Sequence, residues 1–209
     1  MSLSDKEKTQ IRLVFLGAAG VGKTSLIHRF LQDTFDPKHR RTVEELHSTE
    51  YETTDGTQVK IEILDTTGSY EFPAMRKLSM QSGDAFALVY SVDNPDSFEI
   101  VRRLREEILD VKEEKSPSMV IVGNKKDNGD TQKVFWDDVT TTVGMEWNCR
   151  LLETSAKENL NVTEVFRELL RDVNLPSQLS PTLRKRRETI PNEQNCKPPM
   201  NKTNSCNIC

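Results

Sequence analysis

Gly17-Ala18-Ala19-Gly20-Val21-Gly22-Lys23-Thr24 decides the fold of this chain of 209 residues. It follows an apolar, β-rich run over 11–16 and opens a stretch of helical character over 22–32. Strand, glycine-rich loop, Lys-Thr and helix, in that order, make a phosphate-binding loop. Backbone N–H groups from Gly17, Ala18, Ala19, Gly20, Val21 and Gly22 turn inward as a nest for phosphate oxygens. Lys23 adds a cation for β- and γ-phosphates. The Thr24 hydroxyl suits Mg²⁺, a hard ion that takes oxygen ligands. Ser25 continues the first helical turn, whose positive dipole end faces the same place. A glycine-rich turn before a helix is the plainer alternative, and the Lys-Thr offset and preceding strand argue against it.

Outward from this loop the chain alternates strands and helices. Residues 46–53 read as an exposed edge strand, and Thr54-Asp55-Gly56 is a hairpin turn. The strand 59–64 puts Val59, Ile61 and Ile63 on one face and Lys60, Glu62 and Leu64 on the other. Residues 85–91 and 119–122 are buried strands, and 151–153 a short one. From Pro95, helical spacing brings Phe98, Val101, Leu104 and Ile108 together. A helix of poor propensity, with three consecutive threonines, covers 136–143. An amphipathic helix over 162–173 faces Val165, Phe166, Leu169 and Leu170 inward. The pattern predicts an α/β domain with a mostly parallel sheet, one antiparallel edge strand and helices on both faces. Its ligand site belongs outside the carboxyl ends of the strands.

Composition divides the chain. Apolar residues are 35% of it, low for a globular protein. From Pro176 onward there is no Phe, Trp or Tyr, while five of the nine prolines fall there. We therefore expect a short extension over 1–9, a folded domain over 10–175 and a disordered tail over 176–209. The net charge is −4, yet the tail holds six Lys and Arg against Glu188 and Glu193. An acidic domain with a basic tail argues against nucleic acid as partner and fits a tail that meets an anionic membrane surface. The amino terminus lacks the apolar core of a signal peptide, and residue 2 is not the glycine of a myristoylation signal. The four cysteines, Cys149, Cys196, Cys206 and Cys209, make no metal-ligand pattern. The expected setting is the reducing cytosol.

Further chemistry falls at strand ends. Asp65-Thr66-Thr67-Gly68 follows 59–64: Asp65 suits Mg²⁺, and Gly68 can bring a backbone N–H to a γ-phosphate. Asn124-Lys125-Lys126-Asp127 follows 119–122. The Asp127 carboxylate matches the paired donors of guanine, which adenine lacks, and the Lys125 stem can cover the ring. Ser155, Ala156 and Lys157, after the last strand, offer backbone N–H groups to the guanine carbonyl. Each tetrapeptide alone is weak, whereas all of them in this order, each after its own strand, are jointly specific.

On these motifs the chain resembles the Ras superfamily of small GTPases over about residues 10–175, which implies a P-loop small GTPase fold. Within it, Ile63-Leu64-Asp65-Thr66-Thr67-Gly68-Ser69 and Phe72-Pro73-Ala74-Met75-Arg76 look like the Di-Ras and Dexras/Rhes group of the Ras family. The resemblance implies GTP/GDP and Mg²⁺ as ligands, with Thr24, Thr42 and Asp65 around the metal. It implies that Phe35 contacts the guanine ring; packing beneath the first switch is the alternative. Lys23, Thr42, Gly68 and Ser69 fall at the catalytic places, and Thr42, Val43, Glu44 and Glu45 at the effector surface. Effector proteins, an exchange factor and a GTPase-activating protein are the implied partners.

The catalytic places depart from the family. Ala19 stands where relatives carry glycine, and Ser69 where they carry the glutamine that orients the attacking water. His39-Arg40-Arg41-Thr42 replaces an aromatic-x-proline-threonine sequence. These substitutions predict slow hydrolysis of GTP, with a largely GTP-loaded binding module as the second reading. An ATP-using kinase is discouraged by Asn124–Asp127. The carboxyl end, Cys206-Asn207-Ile208-Cys209, reads as a prenylation box at Cys206. A single lipid anchors marginally, so a second signal is needed: Arg184-Lys185-Arg186-Arg187, or palmitoylation at Cys196. The expected location is the cytoplasmic face of the plasma membrane, with a cytosolic pool.

Overall fold

A computed structural model describes residues 9–38, 42–52, 58–68, 73–113, 117–131, 133–134 and 136–172. The expected turn at 54–56, the His39–Arg41 stretch, Ser69, Val173 and the whole tail lie outside the described residues, as does the expected boundary at 175–176.

Six strands form one sheet: β1 (Thr9–Gly17), β2 (Glu45–Glu52), β3 (Gln58–Asp65), β4 (Ala85–Ser91), β5 (Ser118–Asn124) and β6 (Arg150–Glu153). Their spatial order is β2-β3-β1-β4-β5-β6. β2 pairs antiparallel with β3, and every other pair is parallel. The helices are α1 (Lys23–Gln32), α2 (Pro73–Ser82), α3 (Pro95–Lys112), α4 (Trp136–Thr140) and α5 (Val162–Asp172).

The central strands are apolar on both faces because both are covered. On β1, Ile11, Leu13 and Phe15 join one core with Leu26 and Ile27 of α1 and Val165, Phe166 and Leu169 of α5. Val14 and Leu16 join the other, with Met80 of α2, Phe98, Val101, Leu104 and Ile108 of α3 and Val139 of α4. Phe166 lies between Phe15 and Phe30, with ring centroids 5.2 and 3.7 Å away. Burying each such side chain contributes roughly 1.5–3 kcal/mol. α3 begins with Pro95, whose missing N–H costs nothing at a helix start. It ends on Lys112, whose ammonium reaches Gln81 O at 2.9 Å and Gly83 O at 2.6 Å.

Three local features differ from the sequence expectation. α2 has no counterpart in it. Met75 and Leu78 of this helix are exposed while Ser79 and Met80 are buried, so its apolar residues do not mark its inner face. The helix expected over 136–143 is α-helical only to Thr140 and widens into a π turn over Thr141–Glu146. Thr141 Oγ1 donates to Asp137 O at 2.9 Å, and such back-bonding by a β-branched residue loosens the regular ladder. Glu62, on the polar face of β3, is buried. Its carboxylate takes Lys60 Nζ at 2.6 Å and Arg12 Nε at 3.0 Å.

Candidate functional site

The carboxyl ends of β1, β3 and β5 converge on a groove of about 560 Å³. Its lining includes Ala19, Gly20, Gly22, Lys23, Thr24, Ser25, Phe35, Thr42, Gly68, Lys125, Asp127, Ala156 and Lys157, with Asn124 at its floor. Gly17, Ala18, Val21, Asp65 and Ser155 stand behind that lining. A larger cavity of about 830 Å³ opens near the starts of β4, β5 and β6. It lies at the wrong end of a parallel sheet for strand-end chemistry and contains none of the motif residues.

The phosphate loop is held from beneath. Lys23 is 5% exposed, and its ammonium donates to Gly17 O and Ala18 O, each at 2.9 Å. Burial lowers its pKa to about 8, although the Asp65 carboxylate pulls the other way. Gly22 caps α1 at φ 99°, and a Cβ there would lie 2.3 Å from Asn124 Nδ2. Only glycine fits both the left-handed backbone and that approach. Gly68 is constrained by space alone: a Cβ on it would lie 2.3 Å from the Ala19 nitrogen. The Asp65–Gly68 segment therefore runs directly against the phosphate loop, with Thr66 Oγ1 donating to Phe15 O at 2.6 Å to fix it.

Three oxygen-bearing side chains meet beside the loop. Thr24 Oγ1 donates to Asp65 Oδ2 at 2.5 Å and lies 2.7 Å from Thr42 Oγ1. Asp65 is buried, and its Oδ1 has no hydrogen-bond partner among the described residues. Burial raises its pKa, against the Thr24 hydrogen bond and the Lys23 charge. A buried carboxylate oxygen without a donor, beside two hydroxyls, is a donor set that fits Mg²⁺.

The far end of the groove is built by Asn124 and Asp127. Asn124 Nδ2 donates to Val21 O at 2.8 Å, while its Oδ1 accepts from Thr154 Oγ1 at 3.1 Å and from Ala156 N at 3.2 Å. It clasps the phosphate loop, β5 and the segment after β6 together. The Ala156 N–H is engaged in that clasp. Asp127 Oδ1 accepts from Ser155 Oγ at 2.6 Å, and Lys157 Nζ lies 3.7 Å from Oδ2. Its orientation is thus set from one side, leaving carboxylate lone pairs for a ligand. Lys125 holds φ 67° and reaches to 4.0 Å from Asp93. Phe35 lines the groove and also packs against the α1–α5 core.

Sequence reasoning missed Arg29. Its guanidinium donates to Ala156 O at 2.9 Å and Lys157 O at 3.0 Å, pinning the Ser155–Lys157 loop to α1. No motif marks it; a lone arginine on a helix carries no spacing signal. Outside the groove, Glu44 Oε1 accepts from Ser79 Oγ of α2 at 3.0 Å. Glu45 is exposed, and Val43, Leu46, Met75 and Leu78 are exposed apolar residues. Ser69 and Cys206 lie outside the described residues.

A phosphate loop, a buried carboxylate beside two threonine hydroxyls, and a second carboxylate at the end of β5 define a nucleotide-binding P-loop domain. Residues 12–175 match the family model of the Ras family. The chain is 40% identical over 194 residues to GTP-binding protein Rhes of Homo sapiens, an alignment covering 88% of this chain and 73% of that protein. It is 39% identical over 191 residues to GTP-binding protein Rhes of Mus musculus, covering 87% and 71%. This chain belongs to the Ras family and resembles the Rhes group within it. It is therefore a small GTPase of the signalling-switch type. Proteins of this family bind GTP and GDP with Mg²⁺ and work through effectors, exchange factors and activating proteins.

Proposed function

We propose that this chain is a guanine-nucleotide switch that hydrolyses GTP slowly and acts from a membrane surface. The observation that carries the nucleotide reading is a groove lined by both the phosphate loop and Asp127, with Asp65 hydrogen-bonded to Thr24 just behind its lining. In it Lys23 exchanges its two backbone carbonyls for β- and γ-phosphate oxygens. Thr24, Thr42 and Asp65 hold Mg²⁺, which when bound neutralises charge on the β- and γ-phosphates. The free Oδ1 of Asp65 supports this placement. Asp127 accepts the two donors of guanine, and the Lys125 stem and Phe35 flank the base. Gly68 and Thr42 order around the γ-phosphate and relax when it is lost. The ordered face presents Val43, Glu45, Leu46, Met75 and Leu78 to effectors, with Glu44 tied to α2.

Slow turnover follows from the residues at the catalytic places. The Ser69 side chain is too short to orient a water as glutamine does. The Ala19 methyl stands exposed at the groove mouth, where an activating protein's arginine would enter. In the Ras family that arginine is worth about 10³–10⁵ in rate. The same two residues favour a second reading, a module that stays GTP-loaded and serves as an effector platform. The deciding experiment identifies the nucleotide on the purified chain and then follows single-turnover hydrolysis with Mg²⁺. The expected rate lies below that of a Ras-family protein carrying the glutamine, and Ser69→Gln raises it. A wild-type rate equal to that of the glutamine-bearing relative contradicts the slow-switch reading. No detectable hydrolysis selects the GTP-loaded module.

A further inference from the structure

At the edge of the groove, whose lining includes His28, two of the chain's three histidines come together with a carboxylate that the nucleotide reading does not use. One ligand atom each from His28, Glu45 and His47 lies within 4.8 Å of the other two. Glu45 Oε1 is 3.7 Å from His47 Nδ1, and the two imidazole rings meet edge to face with centroids 5.9 Å apart. The fold explains the convergence. Glu45 and His47 alternate along β2 and share one of its faces. His47 sits opposite Ile63 in the β2–β3 ladder, and Ile63 belongs to the core beneath α1. That face is therefore the α1 side, where His28 follows Thr24 by one helical turn.

We propose that His28, Glu45 and His47 form a binding site for a zinc-class divalent cation. Two imidazoles and a carboxylate suit Zn²⁺, whereas Mg²⁺ prefers an all-oxygen shell. Ligands on a tetrahedral zinc stand roughly 3.3 Å apart, given bonds of about 2.0–2.1 Å. The Glu45–His47 pair is already near that spacing. The Glu45 side chain, 58% exposed, is free to swing the remaining distance toward His28. Three protein ligands leave a fourth position for water. Bound metal would staple α1 to β2 and draw Glu45 inward, away from effectors; that last consequence rests on the effector reading above, but the metal site does not.

The test titrates Zn²⁺ into the full, GDP-loaded chain in the presence of Mg²⁺, against a chromophoric chelator, with thermal melting as a second readout. Wild type is expected to bind one zinc at this site and to melt at a higher temperature with it. His28→Gln and Glu45→Gln each lower the affinity by more than about tenfold and abolish the thermal shift. Glu45 is exposed, so Glu45→Gln removes a ligand without disturbing the core, and circular dichroism verifies that both variants are folded. Absence of zinc binding by wild type overturns the proposal. So does wild-type affinity in either variant, because the zinc is then held elsewhere, for instance by the cysteines.

Discussion

At the scale of single residues, the chain places its charges where neighbours decide their cost. Glu62 is buried in β3 yet ionised, because Lys60 and then Arg12 hydrogen-bond its carboxylate and hold its pKa near 2 against the opposing effect of burial. The folded-state pKa is depressed from 4.5, so the ion-pair contribution is full above that pH and is lost as pH falls toward about 2. Glu62→Gln is expected to destabilise the domain by about 1–3 kcal/mol at pH 7, since two cations then share a neutral acceptor. Urea unfolding of both proteins over a pH series checks this. The gap between them must narrow below about pH 4.5; a gap independent of pH would show that Glu62 acts through packing alone. Asp65 illustrates the opposite balance. Burial outweighs Thr24 and Lys23 there, its pKa rises, and an unpartnered oxygen remains for a cation.

At the scale of elements, what the sequence revealed followed from how strongly each segment's pattern is tied to its burial. The strands that became β1, β4 and β5 are apolar on both faces because helices cover both, and such runs are read without ambiguity. The phosphate loop and Asn124–Asp127 stood out in the sequence because each has particular residues at fixed offsets after a strand, and the fold brings both to one groove. The helix α2 was not legible. It buries Ser79 and Met80 and exposes Met75 and Leu78, so periodicity reports the wrong face. Those exposed residues, with Val43 and Leu46, make up the surface we propose for effectors. The π turn after α4 was hidden for another reason. Threonine propensity predicts a weak helix but not that a hydroxyl bonds back to Asp137 and widens it. The Asn124 clasp and the Arg29 anchor join segments far apart in the chain, and one sequence carries no sign of such pairings.

At the scale of the whole molecule, a Ras-family domain is followed by a basic tail that lies outside the described residues. No described helix is long and apolar enough to cross a membrane. We propose that prenylated Cys206 and the Arg184–Arg187 cluster together hold the chain at the cytoplasmic face. One lipid gives reversible binding, and each basic residue near anionic lipid adds about 1 kcal/mol, less under physiological screening. Cys206→Ser is expected to move the protein into the cytosol in fractionation of eukaryotic cells. Neutralising Arg184, Lys185, Arg186 and Arg187 weakens membrane association and leaves lipidation intact. Mass spectrometry that finds an unmodified terminus at Cys209 would sink the anchor and leave an unanchored switch. The central claim, that the groove selects guanine through Asp127, has a more direct test. Competition of GTP, ATP and xanthosine triphosphate against a fluorescent GDP analogue, on wild type and Asp127→Asn in Mg²⁺ buffer, reads that selection. The account predicts that wild type prefers GTP over ATP by orders of magnitude and that Asp127→Asn shifts preference to the xanthine nucleotide. Equal displacement by ATP and GTP from the wild-type protein would contradict it.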